Sequence, residues 1–294
     1  MKTLIMKVTP KRAAHWQLRT QVLRFGRLPA IMGIVNVTPD SFSDGGQHAS
    51  TRNAVEHGLR LISEGADILD IGGESTRPYA EQVTADDELD RVLHVVQQLA
   101  ERTTTPVSID TSKASVARAC LAAGAEIIND VTGLQGDPDM AGLAVETDAG
   151  ICAMHMQGTP QTMQDNPSYQ DVVADVFDYL RRRRDALVQS GIAAQRVCLD
   201  PGIGFGKTNQ HSLTLLSQCG RFHELGCPLL VGHSRKGLLG SVLGDKQADR
   251  TAATIGVALS LAQKGIQIIR VHDVQPVRDA LQLFEATGGI TGDL

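Results

Sequence analysis

The clearest pattern in the sequence is an alternation of short apolar runs with longer amphipathic segments, which begins at Ala30. Short apolar runs predict buried strands, and apolar residues that recur every three or four positions predict helices. The predicted strands are Ala30–Asn36, Ile68–Gly72, Val107–Asp110, Ile127–Asp130, Gly150–His155, Val197–Asp200, Leu229–Gly232 and Ile268–Val271. The predicted helices cover residues 51–64, 86–102, 113–122, 138–147, 170–190, 209–225, 248–264 and 275–286.

These strand and helix units predict the fold class. Nearly continuous apolar strands are typical of a parallel sheet that is buried on both faces. Eight such units in about 250 residues match the size of a closed (β/α)8 barrel, also called a TIM barrel. We therefore predict an α/β fold, a single (β/α)8 TIM barrel. A doubly wound open sheet is the alternative, with its site at a switch point between strands.

The first 29 residues do not follow this pattern. They contain two short alternating segments, around Thr3–Val8 and Gln17–Phe25. We expect an N-terminal hairpin that caps one end of the barrel. The predicted organisation is an extension over residues 1–29 and a barrel over residues 30–294.

Composition and charge narrow the functional classes. The chain has 294 residues, a net charge of -5 and a pI near 6.0, which gives no basic footprint for nucleic acid or an anionic membrane. Its five cysteines lack CxxC spacing, which indicates reduced intracellular thiols. Charges interrupt the apolar residues of the first segment, and no later stretch approaches membrane-spanning length. We therefore expect a cytoplasmic protein.

Every predicted strand ends in polar residues. The set is Asn36, Glu74, Thr76, Arg77, Asp110, Asn129, Asp130, His155, Asp200, Ser234, Arg235, Lys236, Arg270 and His272. Each Asn, Asp, Ser or Thr among them has an alternative role as the cap of the next helix. Lys and Arg do not cap helix N-termini, so the cations indicate a phosphorylated ligand at the barrel mouth.

Two of these residues, Arg270 and His272, occupy alternate positions at the end of the last strand and so point to the same side. Phosphate sites in barrels commonly form near the seventh and eighth strands, which predicts anion binding by this pair and by Ser234-Arg235-Lys236. The alternative is an internal ion pair with Asp273.

A glycine-rich loop follows the sixth barrel strand, in the stretch Asp200–Lys207. Glycines allow backbone N–H groups to approach a ligand, and the acidic residue offers acceptors, so a flat, donor-rich heterocycle would suit the site. Pro201 occupies the position of the first Walker A glycine, which excludes a nucleotide loop. A plain strand-to-helix turn is the alternative reading. Two long loops, Val37–Ser50 and Gly73–Ala85, are candidate lids or ordinary exposed connections.

The metal prediction is a hard cation. Nine histidines without HxxxH or Cys/His spacing argue against zinc. Asn36 could supply one oxygen to Mg²⁺ while a bound diphosphate supplies others.

Several stretches together resemble one family, dihydropteroate synthase, over nearly the whole chain. They are Met32–Gly46, Asp70–Pro78, Ser108–Thr111, Ile128–Asp130, His155–Gly158, Asp200–Lys207, Ser234–Lys236 and Ile269–Asp273. The resemblance implies a (β/α)8 barrel, usually dimeric and inhibited by sulfonamides. It also implies a transferase of folate biosynthesis that joins 6-hydroxymethyl-7,8-dihydropterin diphosphate to p-aminobenzoate and releases pyrophosphate in the presence of Mg²⁺.

The resemblance also implies three groups of site residues. The pterin group is Asp110, Asn129, Met154, Asp200, Lys236 and Arg270. The diphosphate and magnesium group is Asn36, Arg77, Arg270 and His272, with Asn36 on the metal. The p-aminobenzoate group is Phe42, Thr76, Arg77, Pro78, Phe205 and Ser234. The principal catalytic residues implied are Asp110, Lys236, Arg270 and Asn36.

Residue chemistry is consistent with these roles. The pyrimidine edge of a pterin carries N–H donors that call for carboxylates and an amide, and its carbonyl accepts from a lysine. We hypothesise a dissociative displacement in which Asp110 favours a developing pterin-methyl cation. The sequence departs from the family pattern at Tyr79, where glycine is frequent, and at Gly237, where a larger residue is frequent. A pterin-binding methyltransferase and a non-catalytic pterin-binding paralogue are the competing interpretations.

Overall fold

A computed structural model describes residues 12–37, 46–76, 79–245 and 247–290. The N-terminal extension contains strands β1 (His15–Gln17) and β2 (Val22–Arg24). The barrel strands are β3 (Ala30–Asn36), β4 (Ile68–Gly72), β5 (Val107–Asp110), β6 (Ile127–Asp130), β7 (Gly150–Met154), β8 (Val197–Asp200), β9 (Leu230–Gly232) and β10 (Ile268–Val271).

The eight barrel strands are parallel and form a ring. Their order is β8-β7-β6-β5-β4-β3-β10-β9. A bridge between Leu199 and Leu229 joins β8 to the chain entering β9, and the Leu199 N–H donates to the Pro228 carbonyl at 3.0 Å. The barrel prediction is therefore confirmed, and the open-sheet alternative is wrong.

Helices follow the strands in the expected alternation. They are α1 (Gly46–Ser63), α2 (Ala85–Arg102), α3 (Ala114–Ala122), α4 (Met140–Thr147), α5 (Val172–Gln189), α6 (Asn209–Gln218), α7 (Gly237–Leu243), α8 (Thr251–Gln263) and α9 (Val274–Ala286). The helix expected over 209–225 changes to a 3₁₀ helix at Cys219–Leu225, a segment that contains the helix-weakening Gly220. Helix α7 was not predicted, because two glycines interrupt its short apolar pattern. None of the helices in the described ranges is both long and apolar enough to cross a membrane.

An apolar layer fills the N-terminal end of the barrel interior. Each strand but β5 contributes a buried apolar side chain to this floor, from Met32, Ile68, Ile127, Cys152, Cys198, Leu230 and Ile268. The larger core cluster lies between the strands and the helices around them. Since strand side chains alternate between faces, the positions two residues beyond the floor also point inward, toward the mouth.

The N-terminal hairpin covers this floor. Trp16 and Leu18 are fully buried against the floor residues, and the Trp16 indole N–H donates to the Arg196 carbonyl at 2.8 Å. A hairpin was expected, but Gln17–Phe25 is not one strand: a turn, closed by the Leu18 N–H to the Gln21 carbonyl at 2.9 Å, divides it. The other predicted segment, Thr3–Val8, lies outside the described residues.

The hairpin turn is attached to the barrel through Thr20. Its hydroxyl donates to Glu126 Oε1 at 2.6 Å, and its backbone N–H donates to Glu126 Oε2 at 2.7 Å. We expect Thr20→Val to lower the free energy of unfolding by about 1–2 kcal/mol, because one oxygen of the buried carboxylate loses its donor. Urea unfolding measures this, with Thr20→Ser as the control that retains the hydroxyl and the stability. Equal stability of the Val variant would contradict an anchoring role.

Candidate active site

The barrel interior becomes polar immediately above the apolar floor. Arg270 on β10 donates from Nε to Asp70 Oδ2 at 2.6 Å and from Nη2 to Asp110 Oδ2 at 2.7 Å. Asn129 on β6 donates from Nδ2 to the two carboxylate oxygens of Asp70 at 3.1 and 3.3 Å. Four strands thus bring one connected polar group into the same interior layer.

Burial sets the protonation of this group. The side chain of Asp70 is 0% exposed and that of Asp110 is 13% exposed. Burial raises the pKa of Asp110 to about 7, although the nearby Arg270 opposes the rise. Burial by itself would lower the pKa of Arg270, but Asp70 and Asp110 raise it overall, so the guanidinium stays charged.

A second charged pair, Asp200 and Lys236, comes from β8 and the end of the β9 loop. Asp200 Oδ1 accepts from the Gly202 N–H at 2.7 Å, and burial raises the pKa of Asp200 to about 6. Lys236 Nζ donates to the Ile203 carbonyl and lies 4.3 Å from the centroid of the Phe205 ring. Burial lowers the pKa of Lys236 to about 8. Both groups therefore titrate within about two pH units of neutrality.

The glycine-rich loop after β8 packs directly on the end of β7. Gly202 has a φ of 67°, and a Cβ atom there would overlap the His155 carbonyl oxygen. The same added atom would lie 3.1 Å from the side chain of Met154, which is buried at the end of β7. Glycine at position 202 thus allows the two loops to pack more closely than any residue with a side chain would allow.

The predicted anion residues divide into two contacts. His272 Nδ1 lies 3.1 Å from Ser234 Oγ, which also accepts from the His272 N–H at 3.3 Å. Arg235 makes a two-point ion pair with Asp273, at 3.0 and 2.6 Å. The alternative in which Asp273 pairs with Arg270 is wrong, because Arg270 lies inside the barrel on Asp70 and Asp110 while Arg235 pairs with Asp273.

Asn36 lies at the end of β3, and Thr76 lies in the loop after the neighbouring strand β4. Asn36 is half-buried and pairs in register with Gly72, which in turn pairs with Asp110. Thr76 is half-buried in the loop after β4. The remaining predicted residues, Phe42, Arg77 and Pro78, lie outside the described residues, as does most of the loop after β3.

The base of the loop over residues 73–85 is fixed by a buried ion-pair cluster. Lys113 Nζ donates to Glu74 Oε2 and to Glu88 Oε2, both at 2.6 Å, and Glu74 Oε1 accepts from the Val83 N–H at 3.0 Å. Tyr79, in the same loop, has a φ of 63° and donates its hydroxyl to Asp165 Oδ1 at 3.0 Å. The described part of this loop thus makes specific contacts on two sides.

Sequence reasoning gave no role to Asp70, Lys113, Glu88 or Lys207. Asp70 carried a usable signal, since a carboxylate in the middle of the apolar strand Ile68–Gly72 requires a buried partner. Lys113 and Lys207 lie in or next to loops, and Glu88 lies in the first turn of α2. Their side-chain partners are at least 25 residues away in the sequence. Nothing local in the sequence indicates those contacts.

The donor chemistry of the mouth suits a hard cation that is completed by substrate oxygens. Within the described ranges, no group of three or more His, Cys, Asp or Glu side chains could hold a metal ion alone. Asn36 offers an amide oxygen, and it lies in the same register as Asp110, since both residues pair with Gly72 on the intervening strand β4. A few protein oxygens with phosphate oxygens is the usual arrangement for Mg²⁺, so the residues fit this ion.

Comparisons with known proteins converge on one group. Residues 32–272 match the family model for pterin binding enzymes. Dihydropteroate synthase of Escherichia coli K12 is 46% identical over 259 residues, which cover 88% of this chain and 92% of that protein.

Solved structures give the same result. The Xanthomonas albilineans dihydropteroate synthase with 4-aminobenzoic acid superposes with a TM-score of 0.87 at 42% identity, covering 95% of this chain and 100% of that one. The Yersinia pestis dihydropteroate synthase with a sulfonamide drug has a TM-score of 0.86 at 43% identity, covering 94% and 99%.

Proposed function

Because the chain belongs to the dihydropteroate synthase family of pterin binding enzymes, we propose that its polar barrel mouth condenses a dihydropterin diphosphate with p-aminobenzoate. The activity is that of a folate-biosynthesis transferase, which forms 7,8-dihydropteroate and releases pyrophosphate. A related structure contains 7,8-dihydropteroate, and another contains a sulfonamide, so we propose that sulfonamides inhibit this protein as well. We also propose a role for each residue of the site.

We assign the deepest position to the pterin ring. Asp110, Asn129 and Asp200 present carboxylate and amide acceptors to its N–H groups, and Lys236 donates to its carbonyl. The support is that Asp110 and Asn129 are adjacent in register on β5 and β6, while Asp200 is adjacent to Met154 on β7 and β8. Met154 packs against the ring, and the guanidinium plane of Arg270 lies along it.

The diphosphate belongs at the cationic side of the mouth. Arg270, His272 and Arg77 are its proposed partners, with Asn36 supplying an oxygen to Mg²⁺. When bound, Mg²⁺ would neutralise charge on the departing pyrophosphate. The close contact of His272 with Ser234 supports this placement, because it brings the end of β10 and the β9 loop together.

The p-aminobenzoate position lies above the pterin, in the loops. Phe205 and Ser234 form its described walls, and Thr76, Pro78, Arg77 and Phe42 complete it from the two lid loops. The Phe205 ring is half-buried and faces the Lys236 ammonium, so one residue links the two substrate positions.

We propose a dissociative displacement for the chemical step. The bond between the pterin methylene carbon and the diphosphate oxygen breaks, and pyrophosphate leaves with the bonding electrons. The amine nitrogen of p-aminobenzoate then bonds to the methylene carbon and loses a proton. The carboxylate of Asp110 lowers the energy of the developing pterin-methyl cation, and Arg270 holds that carboxylate in place.

The observation that carries the function is the convergence of Asp110, Asp200 and Arg270 from three different strands, and of Lys236 from the loop after β9, on the barrel interior. The test is to incubate the protein with 6-hydroxymethyl-7,8-dihydropterin diphosphate and Mg²⁺, with and without p-aminobenzoate. Pyrophosphate release that depends on p-aminobenzoate and yields dihydropteroate by mass is expected. Pterin binding without dihydropteroate would overturn the proposal and favour methyl transfer or a pterin-binding paralogue.

The pKa shifts predict a pH window for pterin binding. Asp200, whose pKa is raised to about 6, accepts hydrogen bonds best above that pH. Asp110, whose pKa is raised to about 7, moves the acidic limit of tight binding to a higher pH. Lys236, with its pKa lowered to about 8, loses its charge as pH rises above that value. We therefore expect the Kd of 6-hydroxymethyl-7,8-dihydropterin, measured by calorimetry, to be lowest between about pH 7 and 8 and to rise on both sides. Lys236→Met should abolish the rise of Kd at alkaline pH but keep the rise at acidic pH. A Kd that does not change with pH in the unmodified protein would show that these groups do not control pterin binding.

We also propose a homodimer in the cytoplasm. Val242 and Leu243 at the end of α7 are 62% and 51% exposed. On α8, Ala252 is exposed, whereas Ala253, Ile255, Val257 and Leu259 are half-buried and pack against the core. Exposed apolar surface of this kind is typical of interfaces. Size-exclusion chromatography with light scattering tests the proposal, and a monomeric mass at micromolar concentration would contradict it.

A further inference from the structure

Lys207 is a buried lysine next to the active site that has no role in the proposed chemistry. Its residue is 2% exposed, and its Nζ lies 2.9 Å from His155 Nδ1, 2.9 Å from the Phe205 carbonyl oxygen and 3.3 Å from the His155 carbonyl oxygen. Within the described ranges its hydrogen bonds go to these uncharged groups and not to a carboxylate. A buried lysine without a carboxylate partner requires a structural or functional reason.

We propose that Lys207 is a positioning residue that joins the β8 loop to the β7 loop and so holds Phe205 in the p-aminobenzoate position. This inference rests on the proposed function, because it uses Phe205 as a wall of that position. The hydrogen bonds of Lys207 in the described residues go to none of the proposed pterin residues, and it acts on Asp200 only through its charge. Its effect should therefore fall on one substrate and spare the other.

The three contacts of Lys207 satisfy its nitrogen in either protonation state. An ammonium donates to both carbonyls and to the unprotonated Nδ1 of His155. A neutral amine donates to the two carbonyls and accepts from Nδ1–H. Burial lowers the pKa of Lys207 well below its usual value, and burial beside Lys207 lowers the pKa of His155 to about 3, so His155 stays neutral at physiological pH.

Lys207 acts at a junction between two loops that other residues also hold together. Tyr169 donates its hydroxyl to the Gly206 carbonyl at 2.7 Å, and Gln164 Nε2 donates to the Gly204 carbonyl at 2.6 Å. Both residues belong to the segment between β7 and α5. The carbonyls on each side of Phe205 are thus bound from the β7 loop, and the Phe205 carbonyl is bound by Lys207.

On the pterin side, Asp200 is held by the Gly202 N–H, a contact that does not involve Lys207. Gly202 packs on the His155 carbonyl, whose oxygen Lys207 also reaches, at 3.3 Å. Loss of the Lys207 amine would release the Phe205 main chain but leave the contact between Asp200 and Gly202 in place. A positioning role therefore predicts weaker use of p-aminobenzoate with unchanged pterin binding. A purely structural role would affect both substrates.

The test compares the unmodified enzyme with Lys207→Met, which keeps the length of the side chain and removes the amine. We expect KM for p-aminobenzoate to rise about 3- to 10-fold, the effect of one or two lost hydrogen bonds. The Kd of 6-hydroxymethyl-7,8-dihydropterin and kcat at saturating p-aminobenzoate should change less than about twofold. Lys264→Met, which removes a half-buried lysine bonded to Ser260 far from the mouth, is the matched control and should leave all three values unchanged.

A second variant tests the same link between the two loops. If Lys207→Met does not fold, Tyr169→Phe removes a parallel link to Gly206 and should raise the same KM in the same direction. An unchanged KM for p-aminobenzoate in a folded variant, or equal loss of pterin affinity, would overturn the inference. If the unmodified protein forms no dihydropteroate, the proposed function fails instead, and the two failures are distinguishable.

Discussion

Asp110→Asn is expected to lower kcat by about 10²- to 10³-fold while the protein remains folded. The substitution keeps the size of the side chain but removes the negative charge that would face the developing cation. Arg270 would keep its shorter contact to Asp70, so the interior layer should stay assembled. The measurement is steady-state kcat with saturating substrates, together with thermal unfolding.

The control for this result is Asp279→Asn, which removes one negative charge from an exposed position on α9. Its kcat should equal that of the unmodified enzyme, because the site lies far from the barrel mouth. Near-normal turnover by Asp110→Asn would refute the electrostatic role of this carboxylate. A large rise in KM for the pterin without a fall in kcat would instead assign Asp110 to ground-state binding.

Arg270→Met is expected to abolish detectable turnover and to lower the free energy of unfolding by about 3–5 kcal/mol. The reason is Asp70, whose side chain is fully buried and would lose its cation. Asp110 is partly exposed and can be hydrated, so it should contribute less to the loss. Urea unfolding and the pyrophosphate assay measure the two effects separately.

A second substitution separates stability from function at this position. Asp70→Asn in the Arg270→Met background should recover most of the stability, because the unpaired charge is gone, but none of the turnover. Arg278→Met is the matched control: Arg278 is 24% exposed, close to the 22% of Arg270, but its partner Asp67 is 36% exposed. The control should lose less stability and keep its activity. Equal losses in both single variants would show that burial of Asp70 is not the cause.

The barrel and most residues of its mouth could be predicted from the sequence because their signals are local. A run such as Val197–Asp200 identifies both a buried strand and the polar residue at its end. The closure of eight parallel strands then brings these ends together without any knowledge of side-chain contacts. For the same reason the polar residues at the strand ends, among them Asp110, Asn129, Asp200 and Arg270, could be expected to lie together, and the structure brings them to the barrel interior.

The contacts within that group could not be predicted. Arg270 reaches Asp70 and Asp110 across the barrel, at separations of 200 and 160 residues, and the sequence alone also allowed a pair with Asp273. Which carboxylate Arg270 pairs with depends on the side of β10 that each residue faces and on the ion pair between Arg235 and Asp273. Loop junctions such as Lys207 with His155 are hidden for the same reason.

The departure from the family pattern at Tyr79 has a physical explanation in the structure. Tyr79 adopts a φ of 63°, a region that glycine enters at little cost and that other residues rarely adopt. The sequence comparison therefore indicated a backbone requirement, although the residue type was unexpected. The hydroxyl contact with Asp165 offsets part of the cost, and it is available to tyrosine but not to glycine.

The apolar floor sealed by Trp16 and Leu18 has a consequence for the order of events. Because the described residues fill this end of the interior, a substrate in the proposed pterin position would enter from the mouth, through the space that p-aminobenzoate later occupies. We therefore expect the pterin to bind first. p-Aminobenzoate bound alone would form a dead-end complex that bars the way. A product that spans both proposed positions would leave through the same opening.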